Sequence, residues 1–280
     1  AHCVSAWGHD FRPDYLTIAQ TREVLGSPPV LAMTATAPTQ IRQDILRHIY
    51  AAGEDREKRV HVIIGDAVRP NLHLQVFNAS NVNDKLRYLV SFCRSETGSG
   101  IVYAGTRARC EEIAAMLRRY GVEAEHYHAG IQDRAAVQDA FMDGRVRVVV
   151  ATVAFGLGID KPDIRFIVHY APPPSVETYY QEAGRAGRDG DPARCLLMWS
   201  SADRSTLTRR QKLDTISVDF LRQVYATIKR RLGTADWGHI AIGDIERDVM
   251  ANDTRVRVAI SLLEEVDLIR RGPDLPRSAS

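Results

Sequence analysis

Cysteine is scarce and scattered in this sequence: Cys3, Cys93, Cys110 and Cys195 include no C-x-x-C pair. That excludes a disulfide-stapled scaffold and a zinc site built from close pairs, and it points to reduced thiols in a cytosolic setting. No apolar run approaches the roughly 18 residues of a membrane span. The opening AHCVSAWGHD lacks the basic start and apolar core of a signal peptide. An excess of one charge is also missing. The net charge of +2 is too small to mark a nucleic-acid binder by itself. The phosphate-binding string G-x-x-x-x-G-K-[ST] occurs nowhere in the 280 residues.

What remains is an ordinary globular composition, 45% hydrophobic and 26% charged, in a chain long enough for two domains. Its charge is uneven: Asp203 to Arg231 holds eight Lys/Arg against three Asp/Glu. Such a run is a solvated helix face or a binding patch, and we read residues 201–218 as a basic linker.

From Leu72 the hydrophobic pattern alternates between strand and helix periods. Strands are expected at His73–Ala79, Gly100–Ala104, Glu123–Tyr127, Arg147–Thr152 and Arg165–His169. Between them fall helices Asp84–Arg94, Arg107–Tyr120 and Arg134–Met142. Alternation of this kind implies right-handed crossovers and a mainly parallel sheet. Upstream, Val30–Thr36 reads as a buried strand, and residues 40–49 as a helix opened by Pro38. Downstream, Asp219–Leu232 reads as a helix ending at Gly233. Ile245–Met250 and an Asp253-capped Thr254–Val266 then read as a helix-turn-helix. Leu268–Arg271 would be a strand, with Gly272–Pro273 turning a wing tipped by Arg277. On this reading Arg255 and Arg257 point outward, placed to meet phosphates or base edges. A protein-docking three-helix cap is the alternative.

The most informative stretch is Pro172–Gly190. Three prolines force an extended approach, and Ser175 sits where a helix N-cap belongs. The spacing puts Gln181, Arg185 and Arg188 on one face of the helix that follows. Gly184 and Gly187 interrupt that helix at a cost of about 1 kcal/mol each relative to alanine, tolerable where backbone must approach a ligand closely. Two arginines in fixed geometry suit a nucleotide's γ-phosphate, whose oxygens gain charge as the phosphoryl group leaves.

The string Gln181–Gly190, QEAGRAGRDG, resembles motif VI of superfamily 2 helicases, in its RecQ version. Other stretches resemble the same family in the same order. Ala1 and His2 match the end of its Asp-Glu-Ala-His motif, and Trp7, His9, Phe11 and Arg12 its aromatic-rich loop. Thr34–Thr36 is similar to motif III, Gly105–Arg107 to motif IV, His128–Gly130 to an H-A-G segment, and Ala151–Asp163 to motif V.

The resemblance implies an α/β fold, a RecA-like parallel sheet flanked by helices, with a small α+β winged-helix domain behind it. It implies the end of a first RecA-like domain at 1–65, a second at 66–200 and a winged helix at 219–280. Arg185, Arg188 and Gln181 would act on ATP, with Gly158, Asp160 and His2 also at the nucleotide. Trp7, Phe11, Arg12, Thr106, Arg107, His128 and Thr152 would contact DNA, with Arg255 and Arg257 on the duplex. The ligands of such sheets gather beyond the strands' carboxyl ends, and these motifs are expected there.

The implied activity is ATP-dependent 3′–5′ DNA unwinding in repair and recombination. ATP and Mg²⁺ would be cofactors held mainly by an upstream part. Partners would be single-stranded and duplex DNA, with single-stranded-DNA-binding and other repair proteins. The location would be cytoplasmic, at a nucleoid or in a nucleus, with no membrane partner. The chain reads as truncated before Ala1, without the motif's Asp and Glu or a phosphate-binding loop, so it is expected to be inactive on ATP by itself. The resemblance departs after Cys195: no further cysteine follows, so the family's four-cysteine zinc module is not expected and no metal site is assigned. The alternatives are an RNA-directed superfamily 2 motor, or a non-enzymatic DNA-binding remnant.

Overall fold

The computed structural model describes residues 1, 18–34, 38–50, 60–65, 68–153, 155, 159–214 and 216–272. It divides into two compact units, Ala1–Val62 with Leu213–Ser280, and Ile63–Lys212. Among the described residues no helix is long and apolar enough to cross a membrane.

The second unit is built on a six-stranded sheet: β1 (Leu72–Asn78), β2 (Ser99–Tyr103), β3 (Ala124–Tyr127), β4 (Val148–Ala151), β5 (Ile164–His169) and β6 (Ala193–Trp199). Its strand order is β1-β6-β5-β2-β4-β3, and every pairing is parallel. Helices α3 (Val82–Ser95), α4 (Arg107–Arg119), α5 (Arg134–Met142) and α6 (Val176–Ala183) supply the crossovers. Alternate residues of one strand enter opposite cores, as a period of two demands. On β4, Val148 and Val150 join Leu89, Cys93, Ile113 and Leu117, whereas Val149 and Ala151 join Ile101, Phe141, Ile167 and Ala183. Both faces are therefore covered, which is why β2 and β4 are buried throughout. Gly100 is glycine because a Cβ there would fall 2.1 Å from the Phe166 ring.

Each crossover helix starts on a side chain that accepts an otherwise orphan amide: Asn81, Thr106, Asp133 and Ser175. The expected strands and the three helices between them form, with ends moved by a residue or two, whereas the helix after Ser175 is shorter than expected and stops at Ala183. Within the expected basic linker 201–218, Ser201–Asp214 is a helix, α7. Its start is fixed by Asp203, whose Oδ2 accepts from Ser200 N and Oγ, each at 2.7 Å, and from Lys85 Nζ at 2.8 Å.

The other unit contains α1 (Ile18–Val24) and α2 (Thr39–Ile49), and then α8 (Val218–Leu232), α9 (Ile242–Val249) and α10 (Asp253–Glu265). Ile45 and Ile49 pack with Ile18 and Ile41. Phe220, Val224, Ile228, Ile245, Val256, Ile260 and Leu263 make a separate three-helix core.

Four expectations change here. Residues 30–34 form no strand, and Leu31 and Met33 stand exposed. Asn252, not Asp253, caps α10, its side chain accepting from Arg255 N. No strand forms over 268–271, where Arg271 instead turns back onto Glu264 through its backbone N–H at 3.0 Å and its Nε at 2.8 Å. Arg255 and Arg257 do not simply face outward. Arg255 lays its guanidinium over the Phe220 ring at 4.5 Å, and Arg257 Nε donates to Asp253 at 2.7 Å.

Candidate functional site: an arginine loop and a strand-end cluster

The candidate residues separate into two groups. One lies beyond the carboxyl ends of β2, β3 and β4, as expected for a parallel sheet. Thr106 follows β2 and its hydroxyl accepts from Arg109 N at 3.2 Å, so the same residue that offers a polar group opens α4. Arg107 is exposed, with Nη1 beside Gly130. Thr152, after β4, donates its amide to Tyr127 O at 3.2 Å.

His128, after β3, is buried and occupied at both ring nitrogens. Gly130 N–H donates to Nδ1 at 3.2 Å, so the ring proton sits on Nε2 and points at Glu111, 3.0 Å away. The ring is thus a strut for this loop, and Glu111 is a member of the group that sequence reasoning missed. Glu111, His126 and His128 do bring ligand atoms within 4.8 Å of one another. A metal on His128 Nε2 would need that proton moved to Nδ1, against the Gly130 N–H, so the hydrogen bonding opposes a metal centre here.

The second group follows α6, and only its Arg188–Asp160 pair lies at the opposite end of the sheet. Helix α6 stops at Ala183 with Gly184 as its C-cap, so Gln181, Arg185 and Arg188 do not share one helical face. A Cβ at Gly184 would stand 2.9 Å from Tyr180 O, and Gly187 has φ +55°. The chain leaves the helix at these two glycines and returns to the amino end of β5. There Gly187 N–H donates to Ile164 O at 2.9 Å, and Asp189 N–H to Pro162 O. Arg188 Nη1 donates to Asp160 Oδ1 at 2.6 Å and to Ile159 O at 3.2 Å. The pair Arg188–Asp160 therefore belongs to the amino ends of the strands, not the carboxyl ends.

Arg185 points back over the sheet. It lies close to the buried Tyr103, whose phenol burial pushes well above the ordinary range while the Arg185 charge opposes that shift. Tyr103 Oη donates to Phe155 O at 3.2 Å. The buried His169 donates Nε2–H to Glu182 at 2.8 Å, stacks on Tyr103 and meets the Tyr179 ring at a tilt. Arg165 pairs with Asp189 and holds that carboxyl below its usual value.

The loop is also held from its other side. Arg69 Nη1 donates to Gly184 O at 3.0 Å and Nη2 to Gly187 O, while Asn71 Nδ2 donates to Gly187 O at 2.8 Å and to Asp191 O at 2.9 Å. Arg69 and Asn71 reach partners 115 to 120 residues further along the chain. Their role carries no periodicity to find. His2, Trp7, Phe11, Arg12 and Gly158 lie outside the described residues.

Residues 81–190 match the family described as "Helicase conserved C-terminal domain". The ATP-dependent DNA helicase RecQ of Pasteurella multocida is 44% identical over 213 residues, 74% of this chain and 32% of that protein. The probable ATP-dependent DNA helicase RecS of Bacillus subtilis is 33% identical over 265 residues, 94% of this chain and 52% of its own length. A DEAD box protein structure from Methanococcus jannaschii is similar over 71% of this chain and 54% of its own, at 21% identity and a TM-score of 0.48. The chain thus spans a third to a half of the two helicases it matches. The chain carries a match to the helicase C-terminal domain at 81–190 and over most of its length is similar to RecQ-type DNA helicases.

Proposed function

We propose that this chain is the second-domain half of an ATP-dependent 3′–5′ DNA helicase that separates duplexes in repair and recombination. The observation that carries this is the Gly184–Gly190 loop, which presents two arginines on a backbone pinned from both sides. Arg188 is tied to Asp160, whose side chain is 86% exposed, so its guanidinium has a partner that a phosphate can replace. Arg185 and Arg188 stabilise charge on the γ-phosphoryl oxygens in the transition state, and Gln181 orients the attacking water. Mg²⁺, which neutralises phosphate charge when bound, and most of the nucleotide fall to the first RecA-like domain, of which residues 1–65 are the end in this reading. Gly158, Asp160 and His2 line the nucleotide's other side.

The carboxyl-end cluster grips DNA. Thr106, Arg107 and Thr152 offer hydroxyl and guanidinium groups to phosphates, with His128 holding their loop in place. Trp7, Phe11 and Arg12 stack on bases as a report that DNA is present. Residues 66–200 are the second RecA-like domain, 201–218 connect it onward, and 219–280 engage duplex DNA or a protein partner. The ion pairing of Arg257 and the packing of Arg255 favour the protein partner there. Repair proteins that coat single-stranded DNA are such partners, at a nucleoid or in a nucleus.

The test is a hybrid in which residues 68–200 replace their counterpart in the Pasteurella multocida helicase. DNA-stimulated ATP hydrolysis is expected from the hybrid and none from the 280-residue chain alone. Arg185→Ala and Arg188→Ala should each lower the hybrid's kcat by about 10³-fold or more. Turnover that survives both substitutions, or that responds to oligo-U and not oligo-dT, refutes the reading.

A further inference from the structure

We infer that Arg69 and Asn71 are positioning residues for the two arginines, setting the direction of each through the peptide plane that precedes it. The inference rests on the motor reading above but adds residues that the reading does not use. A peptide unit is rigid, so holding a carbonyl oxygen also fixes the next residue's nitrogen and Cα. The carbonyl of Gly184 lies in the plane that leads into Arg185, and that of Gly187 in the plane that leads into Arg188. These two carbonyls are the ones Arg69 bridges, Nη1 on Gly184 O at 3.0 Å and Nη2 on Gly187 O.

The chemistry of each contact is specific. Gly184 closes α6, where carbonyls lack helical partners and the helix dipole leaves negative charge, so a cation there is favoured. A guanidinium is planar and forked, able to span two acceptors that a single ammonium cannot. Asn71 adds a second donor to Gly187 O at 2.8 Å and reaches Asp191 O at 2.9 Å, so the loop is gripped on both sides of Arg188. Arg69 Nη2 also contacts Asn71 Oδ1 at 3.5 Å, joining the two residues into one clamp.

The clamp has a rigid base. Leu72 N–H donates to Arg69 O at 3.1 Å and Ala193 N–H to Asn71 O at 2.9 Å, which tie both residues to the starts of β1 and β6. Gly187 is shaped to it as well: a Cβ there would lie 2.6 Å from Asn71 Nδ2. Arg185 and Arg188 are thus referenced to the sheet through backbone on one side and through Tyr103 and Asp160 on the other.

Two measurements test this. Amide hydrogen exchange on the 280-residue chain should show Arg69→Ala speeding exchange at 185–190 by about tenfold or more, with β2, β4 and β5 unchanged. In the hybrid described above, Arg69→Ala should lower kcat about 10- to 100-fold with KM for ATP within about twofold, the mark of misplaced transition-state groups. Arg69→Lys should recover only part of kcat, and Asn71→Asp, which turns a donor into an acceptor, should resemble Arg69→Ala. Unchanged loop exchange, an unchanged kcat, or a loss matched by loosening of the whole sheet each overturns the proposal. An unsubstituted hybrid that is inert on ATP while Arg69→Ala still loosens the loop defeats the motor reading and upholds the clamp's geometry.

Discussion

Lys85 and Asp203 offer the sharpest energetic test. Lys85 is almost wholly buried on α3, its Nζ 2.8 Å from Asp203 Oδ2 and 4.8 Å from the centre of the Tyr170 ring. Burial pulls its ammonium below the ordinary value, and Asp203 works against that pull. Asp203→Ala would leave a buried cation facing the Tyr170 ring and the like charge of Arg109. Breaking a fully buried pair from one side costs about 3–5 kcal/mol, and Asp203 keeps 18% exposure, so about 3 kcal/mol is expected. Lys85→Met keeps the volume and the ring contact, removes the charge, and leaves Asp203 its two bonds from Ser200. It should cost about 1 kcal/mol, and the double variant should recover most of the Asp203→Ala loss.

The loss should also depend on pH. Without Asp203 the folded state disfavours the proton on Lys85, while the unfolded chain keeps it up to about the ordinary 10.5. The deficit relative to the parent protein therefore shrinks as pH rises toward 10. Urea unfolding followed by Trp199 fluorescence, with Trp7 and Trp237 replaced by Phe, reports the sheet unit alone. A loss under about 1 kcal/mol for Asp203→Ala, or a double variant no better than that single one, would refute the argument.

Other consequences follow from the same packing. Gly100→Ala drives a Cβ into the buried Phe166 ring and should cost about 3 kcal/mol or more by the same urea assay, whereas Gly121→Ala, with φ +78° but open space, tests backbone strain alone. Ser175→Ala removes the cap of α6 and should cost about 1 kcal/mol, which Ser175→Asp restores. Burial raises the thiols of Cys93 and Cys110 to about 12 and that of Cys195 to about 11. Folding holds them protonated, so stability is full below the unfolded value near 9 and declines as pH rises from there toward about 12, or about 11 for Cys195, by at most about 1.4 kcal/mol per pH unit for each thiol. Mass spectrometry after thiol labelling at pH 8 should find all three unmodified in the native chain, and rapid labelling of any one would contradict its burial.

Much of the fold was legible because its causes are local. The all-apolar β4 and the Cys110–Ile113–Ala114–Leu117 stripe announce a buried strand and a one-faced helix, and both occur where the pattern places them. Residues 30–34 form no strand because an apolar run does not by itself supply a strand partner. Helical spacing continues through Gly184 and Gly187, but the close approach of Tyr180 O and a positive φ end α6 there. At the candidate site, Arg185 and Arg188 were legible from a local string. Arg69, Asn71, Tyr103 and Glu111 were not, since each acts across a long stretch of chain and shows no periodicity. His128 was legible as a member of its loop, but its engagement at both ring nitrogens emerges only with Gly130 and Glu111 in place.

The pairing of β1 with β6 also sets a timetable for synthesis. Leu72 pairs with Ala193 and Asn78 with Trp199, so the first strand of this unit waits for a partner about 120 residues later in the chain. Until β6 leaves the ribosome, Leu74 and Val76 have no neighbour on the hydrogen-bonding edge, and Arg69 and Asn71 have no loop to hold. Chaperone demand should peak in that interval, and the two arginines should reach their final directions only in its last moments. A ribosome stalled before residue 193 would carry every strand but one and no ordered arginine loop.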